Sequence, residues 1–443
     1  LLRKIVWGGL AFVLLAGLLF CVWLRMYKVT DPARATEIRK NAVAAVKARD
    51  QLGENAATNG YSDLQYILQR ESKPDEMAPY RALTDFSYAA SATTKKDMLT
   101  AWTDRHDEAV KAAAQFETVM PKIQTAFGKP NFIWPSNWKL GPKAPVPNFI
   151  MMRALVQNLM GYAEYLELKG QPDQALAIYL SSLEYAAKVS QNGPLVGGMI
   201  GCAIDAIAAT NATEFLGRSP ALSAAGYRGA IARLEKLPMT ASTLLARLDE
   251  EYAYDLHTID LLRHNMKMLS DDGKADTRAD VMAALMNYSG YLTHEQKVIE
   301  NIYLRQRPSY EKLHTPDADG FTFQETLKIL DQNLSVIAKI LLPNASRAVT
   351  QWRMVLTRNK ALEILCALQL YKLEKKQYPA TLEALVPDYL PKVPTDDISP
   401  DQKFSYQAAG DTMSLSTALI PAANFFGDGK TLKFYPPEPR KTI

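Results

Sequence analysis

The chain has 443 residues, enough for two or three domains with real cores. Its 48% hydrophobic and 22% charged residues are ordinary for a folded globular protein. Fifty-one basic residues against forty-seven acidic ones leave a net charge of +4, too small and too scattered an excess to imply a nucleic-acid partner.

The first predicted element is an anchor. Ile5 to Leu24 is an uncharged run rich in Leu, Val, Phe and Ala. As a helix it reaches about 30 Å, the thickness of a bilayer's hydrocarbon core. Arg3 and Lys4 precede it and Arg25 and Lys28 follow, while Trp7 and Trp23 stand near its ends, where such rings favour the interface. Its end, Cys21-Val22-Trp23-Leu24-Arg25, is a poor cleavage site for a signal peptide, and Phe20 is too bulky for a lipobox. The run predicts a retained single-pass transmembrane helix with the lipid bilayer as its partner. More basic residues follow the span than precede it, which the positive-inside rule reads as a cytoplasmic body.

Asp31-Pro32 reads as an N-cap followed by proline at the first helical position, opening a helix to about Asn55 that continues from the membrane as a stalk. Further helices are predicted over Ser62–Glu71, Arg81–Ala92 and Thr94–Ala126. Five prolines between Lys129 and Phe149 then forbid a regular helix. Trp134 and Trp138 stand among them. Two readings fit: an aromatic binding loop for sugars or a partner, or a crossover segment pinned by its tryptophans.

Phe149–Lys169 and Asp173–Ser190 are predicted to form a helical hairpin turning at Gly170. Gly170, small residues at Ala163, Ala175 and Ser182, and Tyr179 resemble one tetratricopeptide unit. Leu159 stands where the family has tryptophan, and Tyr162 where it has leucine. The resemblance covers about 35 residues and implies helical-hairpin stacking and partner binding. Pro194 opens a helix to about Phe215, with Gly197 and Gly201 on one face for close approach. This apolar run is read as a buried core helix, too short and interrupted to span a membrane, in which Asp205 needs a partner. Thr240–Leu269 is a long amphipathic helix, followed by helices at Thr293–Leu304 and Phe321–Leu342.

Chemistry-bearing residues are few. Glu250, Tyr254, His257, Asp260 and His264 recur at steps of three and four, which places them on one side of the long helix. They supply one arm of a polar site, or a solvated face with incidental ion pairs. His294-Glu295 lacks the second histidine of a zinc-protease motif, and His106 and His314 have no recognisable partner spacing. Cys21, Cys202 and Cys366 lie in separate apolar stretches and make neither a disulfide framework nor a metal signature. No phosphate loop or nucleophile elbow is present in the sequence. No catalytic residue, cofactor or metal site is expected.

From Ser346 the pattern changes. A helix runs to Lys376 and stops at Tyr378-Pro379; Thr381–Val386 is a short helix, and Pro387–Asp396 a proline-rich link. Strand patterns follow at Lys403–Tyr406, Met413–Ser416 and Thr431–Tyr435, with a turn at Ala409-Gly410-Asp411. The order of basic helix end, Tyr-Pro, Leu-x-x-Leu and Tyr-Leu-Pro-x-x-Pro-x-Asp resembles the soluble half of the major pseudopilin of type II secretion systems. It is similar to tails on anchored bacterial proteins. The resemblance implies a helix packed on a small sheet, working outside the inner membrane. Of the family's calcium loop only Asp428 stands in the right neighbourhood.

These readings predict a mainly α protein: a transmembrane anchor (1–28), a helical stalk and first helices (29–128), a helical-hairpin body (129–345) and a pseudopilin-like α+β module with a three-stranded antiparallel sheet (346–443). The function expected is that of a non-enzymatic, membrane-anchored scaffold or interaction subunit of the bacterial cell envelope, with protein partners or a homo-oligomer. The alternative is an anchored envelope enzyme acting on cell-wall or sugar substrates.

Overall fold

The structure, a computed structural model, describes residues 15–68, 74–94, 105–144, 146–218, 221–264, 284–311, 323–333, 335–342, 345–399, 401–417 and 433–435. The chain is mainly α. In order, the helices are α1 (Leu15–Met26), α2 (Pro32–Glu54), α3 (Tyr61–Leu68), α4 (Pro74–Thr94), α5 (His106–Glu117) and α6 (Met120–Gly128). They are followed by α7 (Phe149–Leu168), α8 (Pro172–Val189), α9 (Leu195–Gly217), α10 (Ala224–Leu234) and α11 (Ala241–His264). The last are α12 (Tyr291–Glu311), α13 (Phe323–Gln332), α14 (Ile337–Leu341) and α15 (Ala345–Lys375). A C-terminal hairpin, β1 (Ser405–Ala409) and β2 (Thr412–Ser416), is flanked along β2 by the short β3 (Lys433–Tyr435), all antiparallel.

Local chemistry accounts for the boundaries. Asp31 caps α2 by accepting from the Arg34 N–H at 3.0 Å, and Asn148 caps α7 through Met151 at 3.2 Å. Gly170, at φ +71°, makes the α7–α8 turn. The expected single helix over Thr94–Ala126 is two helices in its described part. Pro121 has no N–H, and its ring would clash with the Glu117 carbonyl of a continuous helix, so α5 ends and α6 restarts. Phe321–Leu342 likewise divides into α13 and α14, because the buried Glu295 carboxylate takes the N–H groups of Val336, Ile337 and Ala338 and starts a new helix there. Helix α10 was not expected. Its signals are Ser223, which accepts from the Gly226 N–H at 2.9 Å, and Tyr227, Ile231 and Leu234 at helical spacing, all three buried.

Two hydrophobic clusters organise the body. The larger joins α3 to α10, the second half of α15 and the hairpin. The smaller joins α11, α12, α13, α14 and the first half of α15. At 31 residues α15 is about 46 Å long and runs through both clusters as a spine. Ile364, Leu365 and Leu368 are buried in the same core cluster as Phe404, Met413 and Leu415, but the same helix also packs on α9 and α10. The end of the proline-rich link before the hairpin is clamped to α15. Asp396 Oδ1 accepts from Thr357 Oγ1 at 3.2 Å, and Asp397 pairs with Lys360 at 2.7 Å.

Three expectations for the apolar and N-terminal helices fare differently: the stalk changes, the core helix is longer than expected, and the span is described only in part. First, α2 is not a free stalk: Ala35, Ile38, Ala42 and Val46 are buried and the helix lies on α11. Second, α9 is long enough to cross a membrane by length and composition, the one such helix among the described residues. It is nevertheless a core helix, packed on α7, α8, α11 and α15, and Gly201 is why: a Cβ there would lie 2.5 Å from the Ser190 Cβ at the end of α8. Third, of the predicted span Ile5–Leu24 only Leu15 onward is described, as the apolar helix α1. Ser270–Asp280, His314 and Asp428 lie outside the described residues.

Candidate functional site

Helix α2 and the proline-rich segment face each other across an open groove of about 630 Å³, lined by Val43, Val46, Lys47, Asp50, Gly53, Glu54, Pro135, Asn137, Trp138 and Leu140. Its walls are set from below. Asn59, buried, donates to the carbonyls of Gly53 and Ile133 at 2.7 Å each and accepts from the Ile133 N–H at 2.8 Å, so the end of α2 and the start of the segment share one clamp. One turn earlier Asp50 accepts from the Ser136 N–H at 3.3 Å and from the Ser136 hydroxyl. Asn137 then adopts φ +48°, a left-handed conformation that asparagine tolerates, and reverses the chain into a 3₁₀ turn beginning at Trp138.

The two tryptophans divide the roles that the sequence left open. Trp134 is buried, 6.4 Å from the Tyr61 ring and 6.1 Å from Phe149, and pins the segment to the core. Trp138 is half-buried and forms a wall of the groove. Its ring stacks on His257 at 5.5 Å and meets the edge of Tyr254 at 5.8 Å. The aromatic segment and the α11 cluster, far apart in sequence, are therefore one structure.

The cluster itself is not a solvated face. Helix α2 covers it, and its ion pairs are partners by design of the seam. Glu250 is buried between Arg49 at 2.6 Å and Arg247 at 2.7 Å, and Arg247 also donates to the carbonyls of Gln191 and Gly193 at 2.6 and 2.9 Å. One carboxylate thus ties α2, α11 and the α8–α9 connection together. Asp260 pairs with Arg39 at 2.6 Å and with Arg263 at 3.3 Å. His257 is held below the usual imidazole pKa by burial, against the pull of Asp260, which favours the neutral ring beside Trp138. His264 is exposed and turns its Nδ1 to the Asp260 carbonyl at 2.8 Å. The five residues do not converge on one point, and among the described residues no group of three or more His, Cys, Asp or Glu is arranged to hold a metal ion.

The remaining candidates serve the fold. His294 is buried, with its Nε2 3.0 Å from the Asn333 carbonyl, and Glu295 beside it caps α14. His106 is exposed at the start of α5. Asp205 finds the partner its burial requires: Asn359 Nδ2 donates to it at 2.9 Å. Burial still pushes its carboxyl up to about 7, opposed by the Asn359 hydrogen bond and by the nearby Arg358 charge.

Sequence reading missed the groove's other wall, Val43, Lys47 and Asp50, because nothing in a helix pattern says which loop will cover it. It also missed Glu251 and Asp255. These line a cavity of about 20 Å³ in the smaller core, with Tyr252, Tyr303 and Gln306. Burial, then mutual repulsion, raises Asp255 well above the usual carboxylate range, and burial brings Glu251 to about 7, opposed by the N–H of Leu195. A signal was available: at steps of three and four, Leu248, Glu251, Asp255, Ile259 and Leu262 place both acids within the apolar stripe.

The chain matches no protein-family model, no curated protein and no solved structure.

Proposed function

We propose that the protein is a membrane-anchored, non-enzymatic interaction subunit of the bacterial cell envelope that presents the α2–Trp138 groove to a segment of a partner protein. The anchor is the apolar run Ile5 to Leu24, and the body lies outside the inner membrane, as the resemblance of residues 346–443 to pseudopilin modules implies and against the count of basic residues on either side of the run. The observation that carries the reading is the groove's chemistry. Val43, Val46, Trp138 and Leu140 offer an apolar floor, while Lys47 and Glu54 stand on the rim. Leu140, in the 3₁₀ turn that lines the groove, is 48% exposed. A concavity lined by apolar side chains with charged residues among its lining is the arrangement that a partner's apolar anchors fill.

A second reading, an anchored enzyme acting on cell-wall or sugar substrates, draws on the same groove, since Trp138 offers a ring and Asp50 and Glu54 are carboxylates. Glycoside hydrolysis needs two carboxylates facing the bond from opposite sides. Here both carboxylates stand on the one helix α2, and both Asp50 oxygens are already engaged by Ser136. The geometry favours binding.

Purification of the full chain from native membranes tests the proposal. A co-purifying protein or a second copy of the chain should be retained by the parent and lost from Val43→Arg and Leu140→Arg. Retention by both variants would refute the groove as the contact surface.

A further inference from the structure

The exit of the chain from α1 is not a flexible linker. Trp23 lies 5.2 Å from the ring of the buried His294 and Tyr27 lies 5.1 Å from it. Arg25 Nη2 donates to the Tyr288 carbonyl at 3.0 Å, and Lys297 Nζ to the Tyr27 carbonyl at 2.8 Å. Asn301 donates to the Lys28 carbonyl at 2.9 Å and accepts from the Thr30 N–H at 2.8 Å. Between α1 and α2 the carbonyls of Tyr27 and Lys28 and the N–H of Thr30 are thus tied to α12, and the Arg25 side chain to the residue three before it.

Around this exit large apolar side chains face outward. Tyr288 is 83% exposed, Leu285 58%, Val336 59% and, on the last turn of α1, Met26 70%. They are neighbours of the exit contacts. The Tyr288 carbonyl is the one that receives Arg25, and Leu285 precedes Tyr288 by three residues, one helical step. The Val336 N–H binds Glu295, next in sequence to His294, at 2.9 Å.

Resting on the reading of α1 as the end of a membrane span, we propose that Met26, Leu285, Tyr288 and Val336 form a collar seated in the headgroup–acyl boundary of the same bilayer. An interfacial group sinks about 5–10 Å into that boundary, the scale of one to two helical turns of about 5.4 Å, so residues joined to the end of the span through the Arg25, Trp23 and Tyr27 contacts are placed near its depth. Tyrosine favours that layer. The collar fixes the body's orientation on the membrane surface.

Nitroxide labels test this in the full chain, placed in nanodiscs of phosphatidylglycerol and phosphatidylethanolamine. The background is Cys21→Ala, since Cys202 and Cys366 are buried. Labels go at Leu285→Cys, Tyr288→Cys and Val336→Cys, with Leu19→Cys as the lipid reference and Leu373→Cys, at the far end of α15, as the aqueous one. At the three collar sites molecular oxygen should collide more often than a nickel chelate, as at position 19 and opposite to position 373. Nickel-dominated collisions at the collar with oxygen-dominated collisions at position 19 would overturn the collar and leave the anchor standing. Collar sites shielded from both probes would mean a protein covers them, which also overturns it. Nickel-dominated collisions at position 19 would overturn the anchor reading, and the collar with it.

Discussion

Replacing Glu250 with alanine removes the one carboxylate shared by Arg49 and Arg247, each with its side chain about a tenth exposed. Two guanidinium groups then remain in a partly desolvated seam with no counter-charge. Breaking a buried pair from one side costs about 3–5 kcal/mol. Replacing Arg49 instead leaves Glu250 with Arg247, so only a charge-assisted contact is lost, about 1.5–3 kcal/mol. Against a domain stability of about 5–15 kcal/mol the first change is severe and the second tolerable. Urea unfolding of the full chain in detergent micelles, followed by helical circular dichroism, measures both. The order Glu250→Ala above Arg49→Ala is the expected result, and the Glu250→Ala,Arg49→Ala double variant should not fall below Glu250→Ala by the full Arg49 increment, because the residues share one network. A cost below about 1 kcal/mol for Glu250→Ala, the value of an exposed pair, would refute the seating of α2 on α11.

Other consequences can be measured on the same chain. The folded Asp205 carboxyl titrates near 7 and that of an unfolded chain near 4, so between those values the folded state keeps a proton the unfolded state has lost. This contribution to stability is present at low pH and disappears as pH rises to about 7; Asp205→Asn should therefore flatten the fall in Tm between pH 5 and pH 8, and equal slopes in variant and parent would contradict it. Leu368→Ala, fully enclosed in the larger core, should cost about 2–5 kcal/mol and shift one cooperative transition for the whole body, whereas a separate early transition would show the C-terminal module melting alone. Residues 346–443 expressed alone should lack cooperative unfolding, because α15 leaves its contacts with α9 and α10 behind. A reporter active only in the cytoplasm, fused after Ile443, should stay silent if the body is extracytoplasmic.

What the sequence discloses follows physical range. Elements set by local chemistry were legible: the Asp31 cap, the Gly170 turn, the end of α15 before Tyr378-Pro379 and the Gly410 hairpin turn, at φ +60°. So was the need of Asp205 for a partner, though nothing within a helical turn named Asn359. The C-terminal core residues Leu368, Met413 and Leu415 were found because helical and strand periods were both intact there. The failures are tertiary. Polarity of the α11 face suggested solvent, since opposite charges carry no label saying that Arg39 and Arg49 will arrive from α2. The helix break at Asn333 depends on Glu295, some forty residues earlier in the chain, whose carboxylate no local window includes. Trp138 could be flagged as a binding residue or a packing one; that it is a groove wall backed by His257 needed the fold.

If the α2–Trp138 groove receives a protein, a photo-crosslinking amino acid at Leu140, irradiated in native membranes, should capture it, with the same residue at Leu373 as a control away from the groove. A discrete protein adduct is expected at Leu140, absent at Leu373 and lost when Val43→Arg is added. No protein adduct at Leu140, or one of equal yield at Leu373, would contradict the proposal.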